Sequence, residues 1–198
     1  MGLLQTACWL LPASKRKNRI LGRYGHQIPA SARIAPNLVL GVKKFELGEN
    51  CALGPFNTFK NNSLIHLEDE AGIGSFNWIS AHPAYQELDA GAGTLVMGYG
   101  ARIEGRNYFD CSGTIEIGAY SAVGGQRCTL QSHEPDMRAM VQTVGRITIG
   151  HHSLVGSNAV LLKGANLPPQ SVLAAHATML FRGQPNVESG VYAGTPAK

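Results

Sequence analysis

Residues 149–178 read IGHHSLVGSNAVLLKGANLPPQSVLAAHAT. Ile149, Val155, Leu161, Leu167 and Leu173 recur every six residues, and each is aliphatic. Four positions after each stands a small residue: Ser153, Ala159, Ala165, Ser171 and Ala177. Five uninterrupted copies of a short phrase mark a solenoid, in which each unit buries its apolar side against its neighbours. A period of six fits neither the 3.6 of a helix nor the 2 of an alternating strand. It fits a β-helix whose flat faces are each about six residues long. The aliphatic side chain points into the coil and the small one fits where the wall turns.

Upstream the phrase returns less regularly. Leu47-Gly48-Glu49-Asn50-Cys51 runs into Leu53-Gly54, and Leu67 with Ala71 precedes Ile73-Gly74. Met97-Gly98 with Ala101 precedes Ile103, and Ile117-Gly118 with Ser121 precedes Val123-Gly124. Gly directly after the aliphatic residue suits tight corners and close coil stacking. That use accounts for the 24 glycines. Gly91-Ala92-Gly93 lacks the third glycine and the following helix that a dinucleotide-binding loop requires.

The 198 residues suffice for one domain, residues 30–198, with a small appendage at 1–29. A net charge of +4 is mildly basic, without the dense Lys/Arg stripe of a nucleic-acid binder. It suits small polyanions or an anionic surface. The four cysteines, Cys8, Cys51, Cys111 and Cys128, have no metal-ligand spacing; Cys51 takes a repeat position elsewhere held by Ser or Ala. They read as reduced, buried residues of a cytoplasmic protein.

Residues 1–29 break the pattern. Leu3, Leu4, Trp9, Leu10 and Leu11 are apolar, and Lys15, Arg16, Lys17, Arg19 and Arg23 follow as a basic group. No apolar run approaches the roughly 20 residues of a membrane span, and the charge order is not that of a signal peptide. Two expectations follow. One is a partly helical arm capping the solenoid or a neighbouring subunit. The other is a peripheral membrane contact, at the inner face, with Trp9 and the leucines immersed and the basic group on headgroups.

Departures from the repeat are where chemistry is expected. Three stand out: 82–94, opening on His82-Pro83; 104–113, with Asn107, Tyr108 and Asp110; and 131–146, long enough to protrude as a loop. Ser132-His133, the polar loop, Ile147-Thr148-Ile149-Gly150, Val155-Gly156-Ser157-Asn158 and a terminal Tyr192-Ala193-Gly194-Thr195-Pro196-Ala197-Lys198 resemble the hexapeptide-repeat acyltransferases. The resemblance is nearest to the branch of galactoside, maltose and exopolysaccharide O-acetyltransferases. It implies an all-β, left-handed parallel β-helix, a homotrimer with active sites between subunits, and acetyl-CoA or another acyl-CoA as co-substrate, with no metal.

On that resemblance His133 is the general base that takes the proton of a sugar or glycan hydroxyl as it attacks the thioester. A weak nucleophile needs a base near neutrality, and His supplies one. For Glu134 and Asp136 two readings stay open: orienting the ring, or standing as solvated loop charges. Asp110 and Asn107 are expected at the acceptor, with His82 contributing from across the subunit interface or competing as the base. Ser157 is expected at the thioester through its amide, and Lys163, Lys198 and Arg182 at the CoA phosphates. Two other classes remain open: a trimeric zinc enzyme of the carbonic anhydrase type using His133, His151 and His152, and a non-catalytic scaffold. Adjacent strand residues point to opposite faces, which argues against His151 and His152 sharing a metal.

Overall fold

The computed structural model describes residues 2–181, 183 and 188–198. Three all-parallel sheets wrap around one narrow core as a parallel β-helix. The chain visits a six-stranded face, then an eight-stranded face, then a seven-stranded face, and starts the next coil. In the last coils the register pairs Ile149 with Leu167, Val155 with Leu173 and Leu161 with Met179. Each step is eighteen residues, three faces of six. The earlier coils pair Leu47 with Leu67, Leu53 with Ile73 and Phe59 with Ile79, a step of twenty. That difference is why the upstream phrase looks irregular in sequence.

The repeat aliphatics are the core. Ile149, Val155, Leu161, Leu167 and Leu173 are fully buried, as are Phe59, Ile79, Phe109 and Leu130 stacked on the seven-stranded face. The small residues fill the corners, as the period implies: Ser153, Ala159, Ala165, Ser171 and Ala177 are buried. Cys51 lies in this class, its thiol donating to the Glu68 carbonyl (3.0 Å). All four cysteines are free and buried, and burial raises the Cys111 thiol far above its ordinary range.

The glycines after the aliphatic residue have a narrower role than the sequence suggests. They are there for stacking. A Cβ on Gly118 would sit 2.5 Å from the His151 amide nitrogen, and one on Gly98 2.7 Å from that of Ala119. The left-handed corner residue is mostly not glycine: Asn50, Glu70, Tyr120, His152 and Gln170 hold it at one corner, and Phe56, Phe76, Arg106, Arg127, Asn158 and His176 at the next. Each such residue costs about 1 kcal/mol. Hydrogen bonds between coils hold them there.

A ladder of buried asparagines supplies many of those bonds. Asn57 Oδ1 accepts from Asn77 N (2.8 Å) and Asn77 Nδ2 (2.9 Å), while Asn57 Nδ2 donates to Asn37 Oδ1 and to the Gly54 and Gly74 carbonyls. Asn107 continues the ladder: its amide donates to Asn77 Oδ1 and its Oδ1 accepts from Cys128 N, both at 2.9 Å.

Residues before the coil form α1 (Leu3–Trp9) and α2 (Lys15–Arg23). Ser14 caps α2 by accepting from Lys17 N. Trp9 is fully buried against Phe45 and His26. Lys17 is 1% exposed, and its Nζ donates to the carbonyls of Trp9, Leu11, Ile34 and Ala35 at 2.7–3.1 Å. Burial pushes its ammonium down to about 8. The helices therefore lid the first coil. This corrects the membrane expectation for two residues: Trp9 and Lys17 are committed to the interior, while Leu3, Leu4, Leu10 and Leu11 stay exposed. Among the described residues no helix is long and apolar enough to cross a membrane.

Candidate active site

Both insertions leave the coil at the same corner, between the seven-stranded and six-stranded faces. Between Trp78–Ser80 and Thr94–Met97 the chain makes a 3-10 turn, Pro83–Glu87. Between Thr129–Gln131 and Arg146–Ile149 it makes a hairpin, His133–Asp136 paired with Val141–Val144. The strand Tyr108–Asp110 lies between Trp78–Ser80 and Thr129–Gln131 on the seven-stranded face. Asp110 therefore sits at the strand end from which both insertions spring.

Ser132, fully buried, ties the hairpin to that strand. Its Oγ donates to the Asp110 carbonyl (2.6 Å) and accepts from Gly113 N (2.7 Å), and its amide donates to the same carbonyl (3.1 Å). His133 follows directly, and its Nδ1 lies 2.6 Å from Asp110 Oδ2. The contact is short but bent away from the ring N–H direction, since Nδ1 is buried and makes no well-aligned hydrogen bond. The close approach of the carboxylate fixes the ring. Asp110 Oδ1 is held by Ser112 N at 2.9 Å, so the carboxylate cannot swing away cheaply. A carboxylate on Nδ1 selects the tautomer that leaves Nε2 unprotonated, the arrangement a general base needs.

The pair opens into a cavity of about 330 Å³ lined by Lys60, Asn61, Trp78, Ser80, Ala81, His82, Tyr85, Tyr108, Asp110, Ser112 and His133. Its size is that of a small-ligand site. Tyr85, carried in by the 3-10 turn, faces His133 with ring centroids 5.1 Å apart and 31° between planes. His82 belongs to the same wall of the same chain. Its Nδ1 accepts from Ala84 N (3.3 Å) to cap the 3-10 turn, and its amide donates to Ser112 Oγ (3.2 Å). A slightly larger groove lined by Glu46, His66, Glu68, Asp69 and Tyr99 lies elsewhere, on the six-stranded face. It holds a second histidine–carboxylate contact, His66 Nδ1 to Glu46 Oε2 at 3.2 Å, but that carboxylate is shared with Lys44 and the pair is more exposed than His133 and Asp110.

The other expected residues divide. Asp110 serves the histidine rather than lying ready as an acceptor ligand. Asn107 does not reach the site: it is 3% exposed, and the ladder and the Glu104 carbonyl take its side chain. Glu134 and Asp136 do not orient the ring. Glu134 pairs with Lys163 Nζ (2.9 Å). Asp136 Oδ1 accepts from Arg138 N and Ala139 N across the hairpin turn, which holds its carboxyl below the usual range. Lys163 also donates to Thr143 Oγ1 (2.6 Å), so it braces the hairpin from the coil below. Ser157 lines a separate cavity with Gly124, Gln126, Arg127 and Asn158, one corner away. Lys198 is exposed at the last coil, and Arg182 lies outside the described residues.

His151 and His152 occupy a different corner from His133. The His152 ring stacks on Tyr120 at 5.1 Å, and no group of three His, Cys, Asp or Glu side chains gathers among the described residues. Sequence reading passed over Lys60, Trp78 and Tyr85. Lys60 and Trp78 sit on regular strands, and Tyr85 sits in an irregular insertion. One signal was present: Trp78 and Tyr108 are large aromatics at outward strand positions, where the repeat does not call for them.

No family model and no curated protein sequence matches the chain. Among solved structures, the chain is similar to the polysialic acid O-acetyltransferase OatWY: 19% identity, TM-score 0.62, covering 87% of this chain and 82% of that one. It also matches the polySia-specific acetyltransferase NeuO at 17% identity and TM-score 0.44, covering 82% of each chain. A third match is a point mutant of AntD, an N-acyltransferase from Bacillus cereus, in complex with dTDP and coenzyme A, at 9% identity and TM-score 0.44, covering 82% of this chain and 78% of that one. The first likeness speaks to the fold, a left-handed parallel β-helix.

Proposed function

We propose that the protein is an acyl-CoA-dependent acyltransferase that moves an acetyl group to a hydroxyl of a sugar or glycan precursor. The observation that carries this reading is the contact of His133 Nδ1 with Asp110 Oδ2 at 2.6 Å, in the wall of a cavity roofed by two insertions. In the proposed step, His133 Nε2 takes the proton of the acceptor hydroxyl while that oxygen attacks the thioester carbonyl. The tetrahedral intermediate collapses, the carbon–sulfur bond breaks, and the proton passes to the departing thiolate. No covalent enzyme intermediate is needed. Asp110 keeps the ring in one tautomer and stabilises it once charged. Holding base, acceptor and thioester in line makes the step close to unimolecular.

The donor in this reading is acetyl-CoA, reaching the site along the C-terminal coils. The Ser157 corner and Lys198 belong to the donor route, and Lys163 acts on the hairpin rather than on a phosphate. We further propose a homotrimer. An outward column of Leu154, Val172 and Val191, exposed on the eight-stranded face, supports association with copies of the chain. The zinc reading is weaker, because His133 is separated from His151 and His152 within the chain.

The test is release of free CoA thiol from acetyl-CoA in the presence of a panel of sugars, glycans and nucleotide sugars. Acceptor-dependent release is expected. Binding of acetyl-CoA without release on any acceptor, or no binding at all, contradicts the proposal.

A further inference from the structure

The cavity wall beyond the base has an unusual makeup. Trp78 and Tyr108 are register partners on adjacent strands and project outward side by side, 45% and 43% exposed. A solenoid gains nothing from large aromatics there. The indole is held, since Trp78 Nε1 donates to Ser80 Oγ at 3.0 Å. Aromatic faces with a fixed polar handle suit a ligand that is apolar on one side and hydroxylated on its rim. Further along the same strands, Lys60, Ser80 and Asp110 form a second register column. Two strand spacings put the Lys60 backbone about 10 Å from that of Asp110.

Lys60 differs from the other lysines whose contacts are set. Lys17 is coordinated by carbonyls, Lys44 by Glu46, and Lys163 by Glu134 and Thr143. Among the described residues Lys60 Nζ has no such partner, although it lines the cavity. The one carboxylate lining that cavity, Asp110, is engaged by His133. The cavity wall thus carries one unneutralised lysine, on a flexible stem, two strand spacings from the carboxylate that holds the base.

We propose that Lys60, Trp78 and Tyr108 form the acceptor subsite and select an anionic sugar: the ring lies on the aromatic pair, a carboxylate or phosphate of the sugar or its neighbour meets Lys60, and a hydroxyl faces His133. The final clause rests on the acyl-transfer reading; the anion subsite does not. Of the chain's two tryptophans, Trp9 is fully buried under the N-terminal helices, so Trp78 reports on the cavity by fluorescence.

The experiment titrates the full-length protein with oligogalacturonides, with the same oligomers reduced at their carboxyls, and with glucose 1-phosphate. Wild type, Lys60→Gln, Lys60→Arg and Tyr108→Ala are compared. Expected is a Trp78 fluorescence change with at least about 10-fold tighter binding of an anionic ligand than of the reduced oligomer. That preference is lost in Lys60→Gln, kept in Lys60→Arg and weakened by salt, as a partly exposed charge pair is. Tyr108→Ala weakens charged and neutral forms alike. The uronate and phosphate arms show which anion is taken. Equal affinity for charged and reduced sugars overturns the proposal. So does a preference that survives Lys60→Gln, or no response to any ligand. A Lys60→Gln effect confined to the KM for acetyl-CoA also overturns it, by assigning Lys60 to the donor. Anionic binding without CoA release leaves the subsite standing and removes the acyl-transfer reading. CoA release indifferent to Lys60 does the reverse.

Discussion

At the residue scale, the proposed catalysis turns on how Asp110 and Ser132 hold His133. Asp110→Asn keeps the shape of the side chain and its acceptor for Ser112 N, but removes the charge that fixes the imidazole. We expect kcat to fall about 10²-fold, with little change in melting temperature. Ser132→Ala leaves the base and its carboxylate in place and removes two of the bonds at the hairpin root. A fall in kcat of about 10-fold is expected, read by steady-state kinetics at saturating acetyl-CoA. Equal losses of activity and folded protein would instead make these residues structural. His133 was legible because it opens the longest break in a regular repeat. Its partner was visible as a polar residue, but its role was not. Asp110 lies 23 positions upstream, and only the coil register brings the two together.

At the element scale, the hairpin, the asparagine ladder and the N-terminal lid each answer to one interaction. Asn57→Ala strips a fully buried side chain of its bonds to Asn37, Asn77 and two carbonyls. Unpaired buried groups of this kind cost about 1–3 kcal/mol each, so a loss of about 3 kcal/mol in urea unfolding is expected. Asn107→Ala should destabilise similarly while leaving the KM for any acceptor unchanged, which separates its ladder role from the acceptor role its sequence position suggested. The ladder escaped sequence reading because its spacing runs 20, 20 and then 30, where the 82–94 insertion stretches one coil.

The lid carries a pH dependence. His26 is buried, its Nδ1 accepts from Phe45 N (3.2 Å), and its Nε2 faces the Gln5 amide (2.9 Å). Protonation would set one N–H against another, and burial already holds its pKa below 6.5. The folded pKa lies under the unfolded one, so below the unfolded value the unfolded chain binds more protons. Stability is therefore full above about 6.5 and is lost as pH falls. Melting temperature should drop on acidification from neutrality, and His26→Asn should flatten that slope. An unchanged slope in the variant would place the titrating group elsewhere.

At the scale of the whole molecule, most of the architecture was readable because a solenoid repeats its instructions. Aliphatic and small residues in fixed phase specified the core column and the corners. What stayed hidden arose from long-range geometry. In sequence the arm at 1–29 leaves a lid and a membrane segment both open, because the carbonyls that receive Lys17 belong partly to the first coil. Removing residues 2–23 should expose Phe45 and Ile34 and lower the melting temperature markedly. Liposome binding through Trp9 would require the lid to open. The meeting of two insertions at one corner was likewise invisible. Two turns of coil separate them along the chain, yet the single strand Tyr108–Asp110 separates their roots on the seven-stranded face.

Whether the His133–Asp110 pair drives acyl transfer from this corner is decided by kcat and KM for acetyl-CoA with a productive acceptor. Wild type and His133→Asn are measured in parallel, with folding of both checked by thermal melting. A fall in kcat of about 10³-fold is predicted for the variant, with KM for acetyl-CoA and melting temperature unchanged. Turnover within a few-fold of wild type in a folded variant would contradict this and shift the chemistry away from His133.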